Sequence, residues 1–350
     1  MKLGFIGVGN ITTSVIEGIF NAKIDIKEII LSPKNRQNAN SLRNKFKKIK
    51  IAKSNQDVLD KSNWVVLSIT PKVGKQILKK LKFKKNHIVL NFISTIHNQE
   101  LKKIIFPAKQ IFKIAPLPMI KYNLGPIIIY PKNKTIENFF NKLGKVISTS
   151  KEKENKKLWV MTSFMATYLE IFNTAHKWFV KNGINQNKSK EYINYLFIAL
   201  NNELLKNSNY SIDKMIKYNL GPIIIYPKNK TIENFFNKLG KVISTSNENE
   251  NKKLWVMTSF MATYLEIFNT AHKWFVKNGI NQNKSKEYIN HLFRALNNEL
   301  IKNSNYSIDI MVKEFQTKGG INEELLMRAK KSGIFKNLNK GFDKIYNRVK

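Results

Sequence analysis

The chain contains one 96-residue unit written twice. Residues 119–214 and 215–310 agree at 90 of 96 positions, and YNLGPIIIYPKNKTIENFF runs unchanged from 122 to 140 and from 218 to 236. The six differences are Lys151/Asn247, Lys153/Asn249, Tyr195/His291, Ile198/Arg294, Leu205/Ile301 and Lys214/Ile310. Solenoid units run about 20–50 residues and diverge, because each must suit its neighbours. This unit is longer, nearly identical and present only twice. MIK at 119, MIK at 215 and MVK at 311 stand in the same phase, the pattern of an in-frame tandem duplication with crossover at a short shared sequence. Removing one 96-residue unit from the 350 leaves a parent of 254. Two sets of elements therefore compete for the places that one set would fill.

The parent begins with strand and helix in alternation. LGFIGVGNITTSVIEGIF reads as an apolar strand, a glycine turn and a helix with apolar residues at helical spacing. KEIILS, NWVVLSI, NHIVLNF and KQIFKIA follow as strands, with the polar helix NANSLRNKFKK after the second; GPIIIYP and GKVIST supply the last two. Strands apolar on both faces and separated by helices predict a parallel sheet covered on both sides. The pattern then changes: NKKLWVMTSFMATYLEIFNTAHKWFVKNG predicts one long amphipathic helix ending at a glycine, and NKSKEYINYLFIALNNELLKN a second. Residues 336–350, with Leu338, Phe342, Ile345 and Val349 apolar after Phe335, predict a closing helix of the core.

Composition removes several classes of function. The apolar fraction of 42% is that of a globular protein. There is no cysteine, so disulfides, thiolate nucleophiles and Cys-based metal sites are excluded, and a reducing cytoplasmic setting is the expectation. The opening MKLGFIGVGN makes a poor signal peptide, and no apolar run approaches the roughly 18 residues of a membrane span. The net charge of +37 invites a nucleic-acid reading, yet only five of the 61 basic residues are arginine. They cluster on no aromatic-laced stretch of the kind that tracks a nucleic acid. The lysines read as solvated faces whose field attracts small anions.

Three segments carry chemistry. Gly7-Val8-Gly9-Asn10-Ile11-Thr12 ends the first strand and opens a helix. Glycines there let backbone amides approach a pyrophosphate at the helix N-terminus, and Thr12 replaces the third glycine of the dinucleotide fingerprint. The alternative is a purely structural tight turn. The second strand ends in LSPKNR, offering Ser32, Lys34, Asn35 and Arg36 where an NAD site presents an acidic group to the ribose. These could neutralise a 2′-phosphate, making NADPH the expected cofactor and NADH the alternative. Late in the chain, Thr317-Lys318-Gly319-Gly320-Ile321-Asn322-Glu323 precedes a helix. It reads equally as a cradle of amides for a carboxylate or as a plain connection with Asn322 as N-cap. No Ser-His-Asp arrangement presents itself and no metal site is expected. His87 and His97 have no carboxylate at useful spacing, and His176 and His272 read as one helical histidine in two copies.

Together GFIGVGN, the strand-ending TPK and TKGGINEELL resemble the pyrroline-5-carboxylate reductase family over the whole parent length. The resemblance implies a short Rossmann domain opening on G-x-G-N, an all-helical dimerisation domain, and reduction of a cyclic imine to proline with NADPH. It assigns Gly7, Gly9, Asn10, Ile11, Thr12, Ser32, Lys34, Arg36, Thr70 and Pro71 to the cofactor. It assigns Gly319, Gly320 and Asn322 to the substrate, with Thr317 and Asn322 as the catalytic pair. Lys318 replaces the family's proline, Asn322 stands for its second threonine, and APLPM at 115–119 lacks an asparagine. Reduction of a different C=N compound, or a cofactor-binding pseudoenzyme, are the alternatives that these departures leave.

The expected arrangement is a Rossmann domain over 1–150, a duplicated segment of spare helices and strands over 151–246, and a helical substrate domain over 247–350. The spare helices keep an amphipathic face, so they are expected to pack on the chain's own helical domain as an intrachain pseudo-dimer; a homo-oligomer is the other expectation. Near-identity of the copies leaves open which of them completes the sheet.

Overall fold

The first strand, β1 (Lys2–Ile6), is buried over Leu3–Ile6, as a strand in the middle of a covered sheet must be. It pairs in parallel with β2 (Glu28–Leu31) on one side and β4 (Trp64–Leu67) on the other. The computed structural model describes residues 1–94, 96–206 and 221–349. They form two units, Met1–Lys156 and Lys157–Lys350.

The first unit holds an eight-stranded sheet in the order β3-β2-β1-β4-β5-β6-β7-β8. Its other strands are β3 (Ile49–Ile51), β5 (Ile88–Asn91), β6 (Gln110–Ala115), β7 (Pro126–Tyr130) and β8 (Lys145–Ser148). Among the described residues the accompanying α-helices are α1 (Asn10–Asn21), α2 (Arg36–Lys45), α3 (Asn55–Lys61), α4 (Pro71–Lys79), α5 (Asn98–Ile104) and α6 (Lys134–Phe140), with a 3-10 turn over Pro118–Tyr122. One core cluster, around Phe5, Ile16, Ile29 and Trp64, fills one face, and another, around Ile6, Val65, Leu67 and Val89, fills the other. The order reverses direction between β1 and β4, the switch point of a doubly wound sheet. The wholly parallel sheet expected from the pattern is corrected at one place: β7 runs antiparallel to β6. Only residues 116–125 join the two, fewer than a parallel crossover needs.

β7, α6 and β8 all come from the first copy of the repeat. The second copy makes the same piece: β9 (Pro222–Ile225), α10 (Lys230–Phe236) and β10 (Lys241–Ser244), the two strands forming a separate sheet. Its register repeats the first, with Lys241 opposite Pro222 as Lys145 is opposite Pro126. Asn229 caps α10 through Ile232 N as Asn133 caps α6 through Ile136 N. The tertiary settings differ. Ile136 and Phe139 are 1% and 9% exposed in the core, whereas Ile232 and Phe235 are 43% and 61% exposed. Local structure follows the sequence here and burial does not. The MIK junction at 215–217 and Tyr218 lie outside the described residues.

The long helix is interrupted in both copies. The first is α7 (Glu152–Val160), a 3-10 turn over Met161–Ser163, then α8 (Phe164–Lys181); the second is α11 (Glu248–Thr258) and α12 (Phe260–Lys277), parted at Ser259. The cause is local. Thr162 and Ser163 donate to the carbonyls of Trp159 and Val160, and Thr258 and Ser259 to those of Trp255 and Val256. Such hydroxyls compete for carbonyls and deform a helix. The second unit is completed by α9 (Gln186–Lys206), α13 (Gln282–Lys302), α14 (Ile308–Glu314), α15 (Ile321–Lys331) and α16 (Ile334–Val349). Within it the hairpins α8–α9 and α12–α13 pack on each other, and α14, α15 and α16 pack on α8.

Candidate functional site

At the C-terminal end of β1 the chain turns through Gly7, whose φ is +100°. A Cβ there would sit 2.2 Å from the Ser68 carbonyl oxygen at the end of β4, so only glycine fits. Gly7 N donates to Ser32 Oγ at 3.0 Å, and Thr12 Oγ1 donates back to the Gly7 carbonyl at 2.8 Å. Asn35 and Asn38 each donate a side-chain N–H to the Val8 carbonyl at 3.0 Å. The turn is thus held from β2 and from inside α1. Thr12, in place of a third glycine, ties the helix to the turn. Gly9 is the N-cap of α1 with open space where its Cβ would be; its first turn holds no acidic residue, and among the described residues no side chain caps the helix. The free amides and the helix dipole suit a phosphate.

The sequence-assigned cofactor residues gather along one edge of the sheet. Gly7, Gly9, Asn10, Ile11 and Thr12 follow β1; Ser32, Lys34 and Arg36 follow β2; Thr70 and Pro71 open α4 after β4. Ser32 and Thr12 are buried supports of the turn, whereas Lys34 and Arg36 are exposed. Between Ser32 and Asn38 there is no carboxylate.

The same edge carries a residue that sequence reading missed. Lys113, an interior residue of β6, is buried and donates through Nζ to the carbonyls of Ile93, Ser94 (3.0 Å) and Ile96 (2.9 Å). Asn91 grips the same loop, donating to Ile96 O and accepting from Ile93 N. Burial pushes the Lys113 ammonium down to about 8, with Glu152 opposing the shift and Lys156 adding to it. The available signal was a lysine inside an apolar strand.

Three of the histidines are structural. His87 is buried between Lys84 N and Leu59 O, and burial lowers its pKa. His176 pairs with Ser189 Oγ at 2.8 Å and burial, with Lys190 adding to it, pushes it down to about 4. His272 repeats the contact with Ser285. His97 corrects the expectation, for Glu152 Oε1 lies 3.2 Å from its Nδ1, brought there by the fold from far along the chain. Among the described residues no group of three His, Asp or Glu side chains could hold a metal ion, and no helix is long and apolar enough to cross a membrane.

In the second unit the Thr317–Glu323 loop links α14 to α15. Gly319 adopts φ +71°, Gly320 N donates to Thr317 O, and Gly320 is the N-cap of α15. Asn322, expected as a possible N-cap, instead lies in the first turn and accepts from Ala166 N near the start of α8 at 3.2 Å. The amide of Gly319 donates to Glu323 Oε2 at 2.6 Å. The loop thus presents exposed Thr317 and Lys318, while both of its glycine amides are engaged within it, Gly319 N by the Glu323 carboxylate and Gly320 N by the Thr317 carbonyl.

Residues 2–95 match the family model described as NADP oxidoreductase, coenzyme F420-dependent. The chain is 29% identical over 119 residues to pyrroline-5-carboxylate reductase 3 of Danio rerio, a match covering 33% of this chain and 41% of that protein. Solved structures with a similar course include pyrroline-5-carboxylate reductase from Streptococcus pyogenes, at 17% identity over 100% and 98% of the chains with a TM-score of 0.41. The Plasmodium falciparum pyrroline carboxylate reductase with NADP bound is 14% identical over 100% and 97%, with a TM-score of 0.35. Residues 2–95 are thus similar to the NADP-dependent oxidoreductases, and the chain shows similarity to a pyrroline-5-carboxylate reductase over 119 residues, less than half of that protein's length.

Proposed function

We propose that the protein is an NADPH-dependent reductase of a cyclic imine carboxylate, with pyrroline-5-carboxylate as substrate and proline as product. The observation that carries this reading is the Gly7 turn opening an uncapped α1, flanked by Lys34 and Arg36 with no carboxylate between Ser32 and Asn38. That chemistry suits a pyrophosphate and a 2′-phosphate better than a free ribose. The reduced nicotinamide supplies the hydride when bound. Gly7, Gly9, Asn10, Ile11 and Thr12 would hold the pyrophosphate, Lys34 and Arg36 the 2′-phosphate, and Thr70 and Pro71 the α4 side of the dinucleotide. Ser32 keeps the turn in shape from beneath.

The reading assigns the substrate carboxylate to the amides of Gly319 and Gly320, with Thr317 and Asn322 as the polar groups that orient the imine. One observation favours a second reading, a cofactor-binding protein without turnover: Gly319 N is engaged by Glu323, Gly320 N by the Thr317 carbonyl and Asn322 by Ala166. A cysteine-free chain suits the cytoplasm, where such a reductase would work. Oxidation of NADPH and of NADH by the full chain, with pyrroline-5-carboxylate and with piperideine carboxylates, separates these readings. Turnover supports the reductase; tight NADPH binding with no turnover on any imine supports the second.

A further inference from the structure

The two copies of the helical hairpin meet as two molecules would. Tyr168 of the first copy and Tyr264 of the second occupy the same place in the repeat, and their hydroxyl oxygens lie 2.8 Å apart. Tyr168 reaches Asn297, and Tyr264 reaches Asn201, the same asparagine of the other copy. Phe164 stacks on Phe293 at 5.7 Å and Phe260 on Phe197 at 5.6 Å. Tyr168 packs on Phe293 at 4.6 Å and Tyr264 on Phe197 at 4.6 Å. Each contact has its mate with the copies exchanged. That reciprocity, residue i meeting j while j meets i, defines an isologous two-fold interface.

The C-terminal segment then crosses this axis. It follows α13, in the second copy, yet α14 and α15 sit on α8, in the first. Asp309 accepts from Asn173 and Lys177 at 2.8 and 2.6 Å, Asp343 from Trp178 Nε1, and Asn322 from Ala166 N. Among the described residues the matching positions of α12 lack these partners, although α16 reaches its start through Phe342 on Phe260: Asn269 and Lys273 turn to Glu266 of their own helix. Trp274 is 37% exposed where Trp178 is 2%. There is one C-terminal segment and there are two places for it. In a chain with a single copy, the same path would carry the segment onto another molecule's helix.

We infer that the second copy of the repeat takes, within this chain, the place of a second copy of the protein. The helix exchange closes in cis, each chain carries one Thr317–Asn322 loop on one supporting helix, and this face is unavailable for joining another chain. The helices expected to be spare, α8 and α9, are the ones that support the loop.

A chain without cysteine allows a direct test. Lys188 of α9 and Glu250 of α11 pair across the copies at 2.7 Å. Cysteines introduced as K188C/E250C, or deeper as F164C/F293C, are joined with a short bifunctional maleimide. Products are sized on denaturing gels and by light scattering of the uncut protein through a dilution series. The expected product is a single chain of 40.7 kDa with an internal link, unchanged by dilution. Covalent two-chain products, or no product from either pair, would overturn the inference. The readout needs no activity, so it stands or falls apart from the reductase reading.

Discussion

Tyr168 Oη and Tyr264 Oη, the same atom of two copies, meet at 2.8 Å in a fully buried setting. Burial holds both phenols protonated, far above the ordinary tyrosine range. Two hydroxyl hydrogens cannot fill three contacts. Each of the three contacts has a hydrogen only when one asparagine presents Nδ2 in place of Oδ1. The hydrogen-bond chain then runs one way, Asn297 to Tyr168 to Tyr264 to Asn201, or the reverse. Near the axis the symmetry of shape is therefore broken in hydrogen.

Removing either hydroxyl should cost the same. Tyr168→Phe and Tyr264→Phe are each expected to lower stability by about 1–3 kcal/mol, and the double variant by less than the sum, because one network is lost once. Urea denaturation measures this. A loss from one tyrosine and none from the other would contradict the two-fold reading.

The repeat also contains its own control for burial. Phe139→Ala should cost about 3–5 kcal/mol, as a core truncation does. The same change in the other copy, Phe235→Ala, should stay within about 0.5 kcal/mol, as at an exposed site. Comparable losses at both positions would mean that the second strand-helix-strand piece is covered in solution.

His176 sets an acid limit. Burial, with Lys190 adding to it, pushes its pKa down to about 4 from an ordinary 6.5. The unfolded chain therefore binds a proton over that interval that the folded chain refuses, so this group's contribution is full above about 6.5 and is lost as pH falls towards 4. Relative to His176→Gln, the native protein should lose on the order of 2 kcal/mol between pH 7 and pH 4.5. Parallel pH curves for the two proteins would remove His176 as the cause.

Glu323 competes for the amide assigned to the substrate. If the Gly319–Gly320 turn holds an imine carboxylate, Glu323→Gln weakens the competitor and should lower KM roughly fivefold, about 1 kcal/mol of hydrogen bonding to a charged group. Steady-state kinetics decide it. An unchanged or higher KM would move the carboxylate site elsewhere.

The cofactor half of this account was legible because periodicity and glycine chemistry act locally. β1, the Gly7 turn and α1 need only their own residues, Lys2–Asn21, to be recognised. What was missed either is local but carries no pattern or depends on distant parts. β3 is three residues with a lysine at its centre, below any strand signal. The reversal of β7 follows from a short connection rather than from its apolar run. The break at Ser163 comes from hydroxyls bonding three residues back, which an amphipathic pattern does not register. Lys113 looked like surface charge, because the carbonyls that accept from it belong to another strand's loop. The choice between two identical copies had no sequence signal at all: Phe139 and Phe235 differ only in what lies against them.

The most direct measurement is a titration of the full chain with NADPH and with NADH, followed by turnover with pyrroline-5-carboxylate, in the native protein and in Arg36→Ala. The account predicts one NADPH per chain, NADPH-dependent reduction of the imine, and roughly tenfold weaker NADPH binding in the variant with NADH little changed, about 1.4 kcal/mol for a lost phosphate contact. Equal binding of NADPH and NADH, insensitive to Arg36, or no binding of either, would contradict it.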